Sequence, residues 1–141
     1  FILIEQGDSY TEEQEKEFRY ILREAGGFDS LPASQFVAGT VLTSTSPAFI
    51  AMFANSLADG GVYNGLLRAQ ARRYALEGIL GTVQLLLQSE KHLEGLKDDV
   101  CSPAGPAMIG VKTLEDTGFR SSVINAVADA YKRFAEIGKI K

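Results

Sequence analysis

No tryptophan occurs in the 141 residues, and histidine and cysteine occur once each. A lone cysteine, Cys101, cannot close an internal disulfide, so the framework of a small secreted domain is excluded. The expected compartment is the reducing cytosol, with the mitochondrial matrix as the alternative. A lone histidine, His92, excludes paired-histidine metal spacing, and no other cluster of metal ligands appears. Between Lys91 and Leu93, His92 reads as a solvated loop or helix-end residue, and Cys101 reads as a small hydrophobe. Glycine is plentiful, at 14 residues, but nowhere forms a phosphate-binding loop. Positive charge is also scarce: 14 Lys and Arg are scattered among 18 Asp and Glu, for a net charge of -4. That balance excludes the concentrated basic face of a nucleic-acid binder.

Charge of either sign is missing altogether between Ala33 and Ala58. The stretch is long enough to cross a bilayer. Thr43, Ser44, Thr45, Ser46 and Pro47 sit in its middle, however, and are expected to divide it into two short apolar pieces, neither of which spans. The reading is a buried segment of a soluble protein, with no membrane partner.

What is present begins with Phe1 to Ile4, a continuous apolar run of the kind buried on both faces of a parallel sheet. Such a strand needs neighbours, which leads to the expectation that the chain was cut from something longer. Thr11 and Gln14 are spaced as a capping box, opening a helix with Phe18, Ile21, Leu22 and Ala25 on one face. Gly26-Gly27 offers a left-handed stop, and Phe28 to Leu31 a returning strand bounded by Pro32. Helical spacing then takes over. Pro47 stands at a first helical position for an apolar helix to about Val62. A second helix, about Leu67 to Gln88, carries Tyr74, Ile79, Leu80, Val83, Leu86 and Leu87. These two helices offer more apolar surface than about 110 residues can cover, so a partner subunit is expected. A final amphipathic helix runs near Phe119 to Ile137, with Phe119, Val123, Val127, Ala130 and Phe134 on one side.

Between the second and final helices, Lys97 to Met108 reads as a small-residue turn joining two helical stretches. Such a turn leaves backbone N–H groups open at the next helix, where the dipole also favours an anion. It serves equally as a plain connection between helices.

Several blocks, in order and at matching separations, resemble the pyrroline-5-carboxylate reductase family: Ser34-Gln35-Phe36, Ser46-Pro47-Ala48-Phe49, Leu57 to Val62, Asp98 to Gly105, Gly118-Phe119-Arg120 and Ile124 to Val127. The resemblance implies a mainly α fold: residues 1–31 as the α/β remnant of a dinucleotide-binding Rossmann domain, and residues 32–141 as a helical dimerisation and substrate-binding domain. It implies reduction of 1-pyrroline-5-carboxylate to L-proline with NADPH or NADH in the full-length protein, and homodimers that assemble further into rings. No cofactor is expected on this chain by itself, and no catalytic side chain is assigned. Ser102, Gly105 and Ala107 match the substrate carboxylate cradle, and Glu90 matches an acidic residue near the substrate amine.

Departures from the family pattern accompany these matches. The cradle usually runs Ser-Pro-Gly-Gly-x-Thr, with the threonine hydroxyl on the ring nitrogen; here Ala107 stands in that place, Ala104 replaces a glycine and Pro106 lacks an N–H. Thr43-Ser44-Thr45-Ser46 replaces a glycine-alternating loop, and Leu67 a proline. The alternatives are a silent relative that serves as an oligomerisation module, or a reductase of another cyclic imine.

Overall fold

In the computed structural model, residues 1–7 and 10–138 are described. Two compact units emerge: Phe1–Pro47 together with the segment from Ile124, and Ala48–Val123.

The first unit opens with two parallel strands, β1 (Ile2–Gln6) and β2 (Phe28–Pro32), in register from Ile2 opposite Phe28 to Gln6 opposite Pro32. Helix α1 (Glu12–Ile21) makes the crossover. Its start is the expected capping box: Thr11 accepts from the Gln14 N–H, and the Gln14 side chain accepts from the Thr11 N–H. Phe18 meets Phe28 edge-on at 6.3 Å between centroids. The Arg19 guanidinium donates to Glu15 and, at 2.7 Å, to Ser30 of β2. That hydrogen bond from Arg19 holds the Glu15 carboxyl below the usual carboxylate range.

The exit from α1 differs from the expected left-handed stop. The helix gives way to a 3₁₀ turn, Arg23–Ala25, and Gly26 adopts φ 123°, ψ −166°. Only glycine accepts that φ readily, but the conformation is extended rather than helical, because the chain must run straight into β2.

Helix α2 (Ala33–Thr40) lies on both strands. It comes close because Gly39 has no side chain: a Cβ there would stand 2.9 Å from Leu3 Cδ1 and would also meet Leu31. The expected break at residues 43–47 does not occur. A π turn, Val41–Thr45, carries α2 directly into α3 (Ser46–Tyr63), making one helical run of 31 residues. The Ser46 N–H reaches back five residues to the Val41 carbonyl, and Pro47, with no N–H to place, follows as the second residue of α3. The hydroxyls bond to carbonyls four residues back, Thr40 to Phe36 at 2.8 Å, Thr43 to Gly39 at 3.0 Å and Ser44 to Thr40 at 2.7 Å. Uninterrupted, the run is apolar and long enough to pass a membrane-span test, as core helices also do. Val41 is fully buried.

In the second unit, α3 closes with a Schellman motif. Gly65 takes φ 97°, its N–H bonds Val62 O, and the Leu66 N–H bonds Gly61 O. Helix α4 (Arg68–Gln88) returns, with Arg68 paired to Asp59. The buried residues of this unit are Ala54, Ala58 and Ala71. A Cβ on Gly61 would lie 3.1 Å from Ala71 Cβ, so the helices meet through their smallest residues. Large apolar side chains point outward: Met52 is 75% exposed, Tyr63 92% and Leu87 82%.

Candidate functional site

The small-residue turn joins α5 (Leu93–Val100) to α6 (Pro106–Asp116), and α7 (Phe119–Ile137) follows. Before α5, Ser89 Oγ accepts the Lys91 N–H, and Lys91 Nζ reaches Asp99 at 2.7 Å. His92 caps α5, its Nδ1 accepting the Glu94 N–H at 3.2 Å, which is the helix-end role of the two expected for it. Cys101 is half-buried.

Ser102 to Gly105 form a β-turn closed by the Gly105 N–H on Ser102 O at 2.9 Å. Ala104, in its third position, has φ 56°, the left-handed region that favours glycine. Gly105 packs closely on this turn: a Cβ there would displace Ser102 Oγ and stand 3.1 Å from Ser102 O. Gly105 is also the N-cap of α6, with no side-chain cap, and Pro106 is the first helical residue. Pro106 has no N–H, so the amides of Ala107 and Met108 are the open donors of the first turn. The positive end of the helix dipole adds to them, an arrangement suited to a small carboxylate.

Ser102, Gly105 and Ala107 are therefore brought together around one turn. Glu90 is exposed in the connection between α4 and α5 and forms no hydrogen bond or ion pair among the described residues. Its neighbour Lys91, through Asp99, links that connection to the end of α5.

The strongest electrostatic feature was not anticipated from the sequence. Arg120, in the first turn of α7, donates to both Glu94 oxygens at 2.8 and 3.2 Å, and through Nε to Glu115 at 2.6 Å. Lys97 adds a contact to Glu94 at 2.9 Å and another to Asp98 at 3.2 Å. Hydrogen bonds from Arg120 and then Lys97 hold the Glu94 carboxyl at about 2, and the carboxylates push Arg120 and Lys97 up. Glu94 and Lys97 show a helical i,i+3 spacing in the sequence. The Glu94–Arg120 pairing, 26 residues apart, leaves no such mark.

Elsewhere in this unit, Phe53, Leu57, Tyr74, Ile79 and Val83 line an apolar groove of about 470 Å³ between α3 and α4. The Phe53 ring packs on Phe119 at 5.9 Å.

Residues 33–137 match the family model described as pyrroline-5-carboxylate reductase dimerisation. The chain belongs to the pyrroline-5-carboxylate reductase family. A pyrroline-5-carboxylate reductase of Synechocystis is 42% identical over 119 residues, covering 84% of this chain and 45% of that protein. One from Glycine max is 37% identical over 131 residues, 93% of this chain and 48% of its own length. Among solved structures, a Plasmodium falciparum pyrroline carboxylate reductase with NADP bound superposes with TM-score 0.85 at 28% identity, over 90% of this chain and 51% of that one. A Streptococcus pyogenes 1-pyrroline-5-carboxylate reductase gives 0.86 at 26% identity, over 90% and 49%. The chain thus spans about half, or less, of the length of these reductases. The mainly helical fold with a short parallel sheet at its start is the one these reductase structures share with it.

Proposed function

We propose that this chain is the helical dimerisation and substrate-binding part of a reductase that converts 1-pyrroline-5-carboxylate to L-proline with NADPH or NADH. The observation that carries the reading is the match of residues 33–137 to the family's dimerisation model. Residues 1–31 are read as the tail of a dinucleotide-binding domain and 32–141 as the dimerisation domain. The outward-facing side chains of α3 and α4 are assigned to a second copy of the chain rather than to a bilayer. Rings of such dimers and a cytosolic location follow the same reading.

The cofactor does not fit this chain alone. A dinucleotide's phosphates need a glycine-rich strand-to-helix turn, and the sequence from Gly7 to Thr11 has one glycine and no G-x-G-x-x-G pattern. It is assigned to the full-length protein. What the present residues do is bind and orient. The Ala107 and Met108 amides hold the substrate carboxylate, and Ser102 and Gly105 shape the turn so that the ring cannot drift. Glu90 is assigned to the neighbourhood of the substrate nitrogen.

Ala107 presents a methyl where the family pattern has a hydroxyl, which favours a second reading, a weakly active or silent assembly module, or a reductase of another cyclic imine. Loss of one such hydrogen bond costs about 1–3 kcal/mol, roughly ten- to a hundredfold in rate or affinity. The test is proline formation by the full-length protein with each nicotinamide cofactor, beside its Ala107→Thr variant and a panel of cyclic imines. Turnover of pyrroline-5-carboxylate is expected. A silent protein that gains activity on Ala107→Thr points to an eroded site, and one that stays silent with every imine removes the reductase reading.

A further inference from the structure

We propose that Arg120 is a positioning residue for the Ser102–Ala107 turn, an inference that rests on the reading of that turn as the substrate cradle. Helices α5 and α6 are two arms joined by the turn, which is the apex between them. At 1.5 Å per residue the arms are about 12 and about 16 Å long. The apex itself is weakly determined: one backbone hydrogen bond closes it, Ala104 sits in an unfavourable backbone region, and α6 begins without a side-chain cap. Arg120 grips the two open ends instead. Glu94 is in the first turn of α5 and Glu115 in the last turn of α6, and the guanidinium spans them with three hydrogen bonds. Fixing the ends of two rigid arms fixes the angle at their apex, and with it the direction of the Ala107 and Met108 amides.

Two of the three charges sit where the helices themselves disfavour them. Arg120 stands at the positive end of α7 and Glu115 at the negative end of α6. Their placement is explained by each other rather than by local preference. A planar fork is also required, since a lysine ammonium cannot hold both carboxylates in one geometry.

The test uses the full-length protein with Arg120→Met and Arg120→Lys, reading steady-state kinetics and amide exchange together. Arg120→Met should raise KM for pyrroline-5-carboxylate roughly fivefold, the scale of about 1 kcal/mol for an exposed charge network. The value of kcat and the KM for the nicotinamide cofactor should move by less than about twofold, since the loss falls on substrate placement. Exchange in residues 101–109 should quicken by a similar factor while α4 is unchanged, and Arg120→Lys should recover part of both effects. Equal losses for both substrates with exchange faster throughout would show ordinary destabilisation and overturn the proposal, as would no change in either readout. If the parent protein reduces no imine, the reductase reading fails on its own, and exchange confined to, or absent from, residues 101–109 still decides the role of Arg120.

Discussion

Helices α3 and α4 meet on methyl groups, with the Arg68–Asp59 ion pair beside them, whereas α5, α6 and α7 are joined by charges. Where α3 and α4 meet, the buried side chains are alanines and the backbone of Gly61 rests on Ala71, so the energy is short-range packing. Around the turn no residue is buried; Arg120, Lys97 and Lys91 hold the helices through exposed carboxylates. The first arrangement brings backbones close and leaves the large side chains for another surface. The second fixes directions while burying little area, and it answers to pH and salt.

The largest effect should come from breaking the packed side of this contrast. Ala71→Leu forces three extra carbons against Gly61 and should cost about 1–3 kcal/mol, seen as a lower urea midpoint with an unchanged slope and little dependence on salt. A tolerated leucine would show that the helices are not closely seated there. A smaller and opposite effect is expected on the charged side. Ala104→Gly removes a left-handed strain of about 1 kcal/mol, offset in part by the freer unfolded chain, and should raise stability by about 0.5 kcal/mol. An unchanged or lower midpoint would mean the turn is unstrained.

The smallest effect is the pH response. The Glu94 carboxyl lies near 2 in the fold against an ordinary 4.5, so its contribution is present above 4.5 and lost as pH falls toward 2. Wild type should therefore exceed Glu94→Gln in thermal midpoint at neutral pH, and the gap should close between those two values. A gap that persists at pH 2 would assign the effect to something other than ionisation.

Much of this was readable beforehand for specific reasons. The apolar spacing of α4 and α7 placed both within a residue of their observed ends, and Thr11 with Gln14 marked α1, because caps and stripes are local signals. The continuous run through residues 43–47 was not readable. Serine, threonine and proline are scored as breakers, and nothing in their spacing shows that a π turn will lead into Pro47. Within the site, the turn at Ser102 was visible as a cluster of small residues. The pairing of Arg120 with Glu94 was not, since contacts across 26 residues depend on how helices pack.

The hydroxyl-rich stretch before Pro47 has one more consequence. Thr40, Thr43, Ser44 and Ser46 each give their proton to the helix that carries them, so a neighbour approaching on these four hydroxyls finds no donor in need of an answer. A stretch that a hydropathy scale counts as watery can thus lie dry against another helix, and solubility judged from composition alone will overrate it.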